Sequence, residues 1–184
     1  MKDFAREGAE LIKAAGADYG DIRILRLEEE SIEVKNRVTE GLSRRETLGF
    51  GIRLLKDGSW GFAASSGLTR RALEKTVRLA LRVARSSRAA SGKGVSLALC
   101  EGVVATYRTA IEKDPFKVPL EEKLALLTQS TEILSRESKV KLSQAFYDGF
   151  RTHKVLATTG GSLIEQEIIE CGAGIAADAA RDGI

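Results

Sequence analysis

The sequence predicts an α+β fold: a mixed or antiparallel sheet with about three helices, followed by a β-meander that is cut off at the C-terminus. Three observations carry this. Apolar residues recur with helical period in three segments and with strand period in the others. Turn dipeptides, Asp57-Gly58, Asp148-Gly149 and Gly160-Gly161, punctuate the strand-like segments. The 43% hydrophobic and 30% charged balance of the 184 residues is that of a chain able to bury a core, not of a disordered one. The length suits one domain or one and a half. Residues 1–100 read as a helix–hairpin–helix part. Residues 101–184 read as a strand, a helix and a meander running into a second, truncated domain.

The first helix is expected from Lys2 to Ala15. Phe4, Gly8, Leu11, Ile12 and Ala15 share one face, with Asp3 as N-cap and Gly16 as the left-handed stop. A strand begins near Asp21 in "DIRILRLEEESIEVKN", and its alternation slips near Leu25, which predicts a bulge or bend. The polar "RVTEGLSRRET" reads as a connection to a glycine-rich hairpin, "GFGIRLLKDGSWGFAASSG", Gly49 to Gly67.

Glycine weakens a strand interior and needs a reason to be there. Two hairpin registers are open. A two-residue type I′ turn at Asp57-Gly58 sets Trp60 and Phe62 over Gly49 and Gly51, so that aromatic rings cover bare backbone. A three-residue loop slips the pairing by one. Leu48, Phe50, Ile52, Leu54, Trp60 and Phe62 then make one large apolar face, and Gly49, Gly51, Gly61, Ala63 and Ser65 a small one. The second register is the favoured expectation. Its small face admits close approach to the backbone by a packed helix or by a peptide.

A long helix follows, about Thr69 to Ser87, with Thr69 as N-cap. At about 100° per residue, Arg71, Lys75, Arg78, Arg82 and Arg85 form a basic stripe opposite Leu73, Val77, Ala80 and Ala84. Such a stripe is commonly a solvated helix face. Nucleic acid is not the expected partner, since no stacking aromatic lies on the stripe and the net charge is only +3. "RSSRAASGKGVS" is a loop by composition, and a strand follows from Val103. Pro119 opens a third helix that runs to about Arg136, with Leu120, Leu124, Leu127 and Leu134 as its buried stripe. The meander is "KVKLSQAFYDG", "FRTHKVLATTGG" and "SLIEQEIIECGAGIAA", and Asp182-Gly183 signals one more turn whose returning strand is missing.

Chemistry is sparse. His153 is the only histidine, and Cys100 and Cys171 are far apart, so zinc ligands of the usual spacing are lacking. No nucleophile elbow and no phosphate loop occurs. Glu28, Glu29 and Glu30 read as a solvated strand end. No catalytic or metal residue is assigned. No apolar run reaches membrane-spanning length, the N-terminus has no signal-peptide pattern, and two lone cysteines suit a reducing cytoplasm.

"GADYGDIRI", "ESIEVKN" and "TLGFGIRLLKDGSWGFAAS", with the later "TTGGSLIEQEI" and "CGAGIAADAARDG", resemble the N-terminal part of the TldD/PmbA family. These are proposed metalloproteases, also called modulators of DNA gyrase. The resemblance runs over most of the chain, and Trp60-Gly61-Phe62-Ala63 is more similar to the TldD branch. It implies a cytoplasmic zinc peptidase acting on unfolded peptides as extended strands, working as a dimer with itself or a paralogous member. In the family, zinc is held by an H-E-x-x-x-H helix and a later cysteine, all in the C-terminal half. None of those positions exists here, and neither Cys100 nor Cys171 matches the ligand cysteine. The expectation is therefore a parent zinc enzyme whose present segment binds no zinc and cleaves nothing by itself; the alternative is a non-catalytic module that binds peptide through a sheet edge or nucleic acid through the basic stripe.

Overall fold

A computed structural model describes residues 1–88, 94–98 and 100–180. The element order is α1 (Lys2–Ala14), β1 (Tyr19–Lys35), β2 (Val38–Lys56), β3 (Ser59–Ser65), α2 (Arg70–Arg88), β4 (Val104–Arg108), a 3₁₀ turn (Pro115–Lys117), α3 (Leu120–Leu134), β5 (Val140–Thr158) and β6 (Leu163–Ala179). The strand order is β3-β2-β1-β5-β6-β4, with β2 and β3 antiparallel and β4 and β6 parallel. This is the expected α+β fold with a mixed sheet. The chain divides into two compact units: Met1–Arg26, Thr47–Arg108 and Thr152–Glu167 form the first, and Leu27–Glu46, Thr109–Arg151 and Ile168–Ile184 the second.

In the first unit one sheet face is covered by α1 and α2. Ala5, Ala9 and Ile12 of α1 and Leu73, Val77, Ala80 and Ala84 of α2 pack on Ile22, Ile24, Phe50, Ile52, Leu54, Ala63, Val155, Ala157 and Leu163. Helical spacing on one side and alternation on the other produce this core. Gly16 adopts φ +77 just beyond α1, as its stop position requires. Thr69 caps α2, its hydroxyl accepting from the Ala72 N–H at 3.2 Å. Asp3, by contrast, lies within the first turn of α1, where its charge suits the macrodipole, and the N-cap is Met1.

In the second unit α3 sets Leu127, with Leu120 and Leu124, on Ile32, Val34 and Ala145. Lys123 of α3 is buried against Glu30 as an ion pair, with Tyr147 stacked beneath the ammonium at 4.7 Å. The Tyr147 hydroxyl is buried without a hydrogen-bond partner, and burial pushes its pKa up to about 12. Arg151 grips Glu28 at 2.8 Å and Asp114 at 2.7 Å while stacking on Phe116, which holds the 3₁₀ turn in place.

Several expectations are corrected. "RVTEGLSRRET" is not a connection but the first part of β2, entered through a tight turn at Asn36 (φ 47) and Arg37 (φ 68). Its polar residues are stabilised as strand by cross-strand ion pairs, Arg44–Glu28 at 2.5 Å and Arg45–Glu29 at 2.6 Å. The acidic run Glu28–Glu30 is accordingly paired residue by residue rather than solvated. The buried apolar positions of β1, Ile22, Ile24, Ile32 and Val34, fall on even numbers on both sides of Leu25, so the parity of the strand is kept across it, while Asp21 is buried on the opposite parity. Asp148-Gly149 makes no turn, because β5 continues through it, flanked on both sides by neighbouring strands. Gly160-Gly161 does turn, with φ +89 at Gly161. Part of the loop read over "RSSRAASGKGVS" and the Asp182-Gly183 signal lie outside the described residues.

Candidate functional site

The hairpin sets the geometry of the first unit's other sheet face. Asp57 (φ 50) and Gly58 (φ 74) form a two-residue I′ turn, and the pairs are Lys56↔Ser59, Leu55↔Trp60, Leu54↔Gly61, Arg53↔Phe62, Ile52↔Ala63, Gly51↔Ala64 and Phe50↔Ser65. The slipped register, with Trp60 and Phe62 buried beside Phe50 and Ile52, is therefore overturned. Phe50, Ile52, Leu54 and Ala63 face the helices, and Phe62 is 62% exposed on the opposite side.

The five small residues do not share a face. Gly61 lies under α2: a Cβ there would come within 2.7 Å of the Ala84 nitrogen and closer still to the Ala80 carbonyl oxygen. Ala63 joins the core on that same side. Gly49 and Gly51 open onto the far face, where a Cβ at Gly51 would meet only the Phe62 ring, 3.1 Å away. The aromatic covers the bare glycine, as the two-residue turn implies. Ser65 stands at the strand end and lines the same opening.

That opening is a groove of about 500 Å³ with Gly49 and Gly51 as floor and Leu25, Leu48 and Phe62 as apolar walls. Its polar end is built from Asp21, Arg23 and Arg53. The Asp21 carboxylate is 2% exposed, yet it takes two hydrogen bonds on Oδ2 from Arg53, at 2.8 and 2.9 Å, and an ion pair on Oδ1 from Arg23 at 3.2 Å. Arg53 in turn lies over the Trp60 ring at 4.8 Å, and Tyr19 meets that ring edge-on at 6.0 Å. Burial, with the Asp21 charge beside it, holds the Tyr19 phenol above its usual pKa. Two guanidinium groups on one carboxylate leave a net positive charge at the end of an apolar groove. Arg53 also lines a second opening of about 830 Å³ with Trp60, Val95 and Thr159.

Sequence reasoning missed Asp21, Arg23 and Arg53. A signal was present: each is a charged residue inside an apolar run, "DIRI" and "GIRLL", and under the two-residue turn Arg53 falls opposite Phe62. Leu25, which resembled a slip in alternation, is a groove wall. The basic stripe lies where the helical period puts it. Arg71, Lys75, Arg78, Arg82 and Arg85 are all exposed, and among the described residues only Arg78 meets a carboxylate, Glu74, at 4.0 Å.

The donor set does not fit a metal ion. Zinc asks for several His, Cys or carboxylate ligands converging on one point. His153 Nε2 is instead engaged by Glu165 Oε1 at 2.9 Å, and the other Glu165 oxygen by Lys2 at 2.7 Å. Hydrogen bonds from Lys2 and then His153 hold the Glu165 carboxyl down at about 2. Among the described residues no three His, Cys, Asp or Glu side chains gather into a possible metal site. Cys100 and Cys171 are exposed free thiols in different units. Among the described residues no helix is long and apolar enough to cross a membrane.

The fold and this groove define an α+β chain with an opening of about 500 Å³ and, among the described residues, no cluster of metal-ligating side chains. Comparison with known families places it further. Residues 20–84 match the PmbA/TldA metallopeptidase domain 1 and residues 113–184 the PmbA/TldA metallopeptidase central domain. The chain belongs to the TldD/PmbA family and represents its N-terminal part. It is 28% identical over 154 residues to a metalloprotease of Methanocaldococcus jannaschii, covering 84% of this chain and 34% of that protein. A metalloprotease of Synechocystis is likewise 28% identical over 154 residues, covering 82% and 32%. The chain thus spans about a third of the length of these relatives. Among solved structures, a proposed modulator of a DNA gyrase from Thermotoga maritima superposes with a TM-score of 0.70 at 17% identity, over 99% of this chain and 44% of that one. TldE from Thermococcus kodakarensis gives 0.59 at 14%, over 100% and 40%. At these identities the structural likeness speaks for the fold.

Proposed function

We propose that this chain is the substrate-side, N-terminal part of a TldD-like zinc metallopeptidase of the cytoplasm that acts on unfolded peptides, in a dimer with itself or a paralogous member. The zinc and the hydrolytic groups belong to the remainder of such a protein, and this chain alone cleaves nothing. The observation that carries the reading is the match of residues 20–84 and 113–184 to the family's first and central domains. The open-face groove supplies a physical role for this part. The small residues Gly49 and Gly51, the latter beneath the Phe62 ring, keep the groove floor low for an extended chain, Leu25, Leu48 and Phe62 receive its apolar side chains, and Arg23 and Arg53 attract its carboxylates.

The test uses the full-length zinc-loaded protein with β-casein as an unfolded substrate and Gly51→Val and Leu48→Glu as variants. Each is expected to lower kcat/KM at least about tenfold with zinc content and melting temperature unchanged, since both side chains enter the groove and neither enters the core. Absence of casein hydrolysis by the zinc-replete protein, or full activity of both variants, would refute the reading.

A further inference from the structure

We propose that the open-face groove receives the C-terminus of a peptide: Arg23 and Arg53 take the terminal carboxylate, and Phe62 and Leu25 take the last and third-last side chains. This rests on the peptide-groove reading above and adds to it which part of a chain the groove selects and in which direction that chain lies.

The groove lies wholly within the first unit. On its face of the sheet Arg53 stands opposite Phe62, and Gly51, one step of about 6.6 Å along β2, stands opposite Ala64. Gly49 is a second such step. Glycine at both steps leaves a low track, and the Phe62 ring leans over it at Gly51. At Arg53 the track stops. Arg53 is the one residue that the groove shares with the second opening, and Tyr19 and Trp60 line that opening and not the groove. The guanidinium lies over the Trp60 ring at 4.8 Å, so a stacked cation closes one end of an apolar groove.

The closed end selects the occupant by charge. The buried Asp21 carboxylate stands between two guanidinium groups, so one positive charge is left over. Arg53 gives Nε and Nη2 to Asp21 Oδ2, whereas Arg23 approaches Oδ1 through Nε alone, at 3.2 Å. The two terminal nitrogens of Arg23 meet no carboxylate among the described residues. Asp21 thus fixes both groups and leaves donors for an incoming carboxylate. An acidic side chain reaches them only from a main chain that turns off the track or runs on past Arg53. A terminal carboxylate arrives in line, with no chain beyond it. From there an extended chain runs back over Gly51 and Gly49, and alternation turns its last and third-last side chains the same way, toward Phe62 and toward Leu25. The substrate class is a short peptide with apolar residues at these two positions, as supplied by an endopeptidase that cuts after apolar side chains.

The experiment measures fluorescence anisotropy of N-terminally labelled Gly-Ser-Gly-Leu-Ser-Leu with this protein. Beside it stand the same peptide as its C-terminal amide, the amide of Gly-Ser-Gly-Leu-Ser-Leu-Asp-Gly-Ser, and Gly-Ser-Gly-Ser-Ser-Ser with a free terminus. The free acid with two leucines is expected to bind at least about tenfold tighter than each of the other three, since each lacks the terminal charge or the apolar side chains. Arg23→Gln is expected to weaken the free acid at least about fivefold and to leave the amide unchanged. Arg23 is exposed and outside the core, so the fold is retained. Equal binding of the amide, tighter binding of the internal aspartate peptide, or indifference of the free acid to Arg23→Gln would each overturn this inference. If casein hydrolysis still falls in Gly51→Val and Leu48→Glu, the peptide groove survives such a result. Binding of none of the four peptides, together with unchanged casein hydrolysis in those variants, would overturn both.

Discussion

Gly61→Ala tests how the first unit is held together. The added methyl points at the backbone of α2, not at a side chain that can swing away. To bring its 2.7 Å approach to the Ala84 nitrogen up to an ordinary contact of about 3.4 Å, the helix must retreat by about 0.7 Å, and by more at the Ala80 oxygen. A gap of this size forfeits about a quarter to a half of the dispersion energy across the interface. The interface comprises Leu73, Val77, Ala80 and Ala84 against Ile52, Leu54 and Ala63. Overpacking typically costs about 1–3 kcal/mol, and a rigid backbone neighbour puts this case at the upper end, about 3 kcal/mol. The loss of unfolded-state freedom on replacing glycine returns at most about 1 kcal/mol. For a chain of this length a net loss of about 2–3 kcal/mol lowers the melting temperature by about 4–12 °C. The assay is thermal unfolding by circular dichroism, with Gly51→Ala as the control. There the new methyl meets only the exposed Phe62 ring, at 3.1 Å, and the shift should be within about 2 °C. If Gly61→Ala melts with the control, α2 does not sit on β3 as described.

Asp21→Ala leaves two guanidinium groups without the carboxylate they share and should cost about 3 kcal/mol in denaturant unfolding; Asp21→Ala with Arg53→Met should cost less than the sum of the single changes. Glu165 titrates near 2, below the ordinary 4.5, so its contribution to stability is present above about pH 4.5 and is lost as pH falls toward 2. An NMR titration of Lys2→Met should show its midpoint moving up, because the largest cause of the depression is gone. Tyr147→Phe removes a buried hydroxyl that has no partner and should raise stability by about 1 kcal/mol, read as a shift in the urea midpoint at constant slope.

Local chemistry determined much of this protein from its sequence. The three helices, the Gly16 stop, the Thr69 cap and the turn at Gly160-Gly161 each depend on residues within one or two turns of chain, where propensity and side-chain geometry act directly. The basic stripe was legible for the same reason, since helical period alone fixes which residues share a face. The hairpin was half legible. Asp57-Gly58 announced a turn, but both registers satisfied local rules, and they differ in every face assignment. Packing chose between them. Gly61, with no side chain, is what lets the backbone of α2 approach β3, and Arg53 stays on the outer face because its carboxylate partner, Asp21, lies there on β1. The same kind of non-local partner turned "RVTEGLSRRET" into strand, through Glu28 and Glu29 lying opposite Arg44 and Arg45. It also drew β5 straight through Asp148-Gly149, where hydrogen bonding to a strand on each side outweighs a two-residue turn preference. The groove itself was invisible in sequence because its floor and walls come from β1, β2 and β3 together. Only the pairing of those strands brings Leu25, Gly51 and Phe62 to one place.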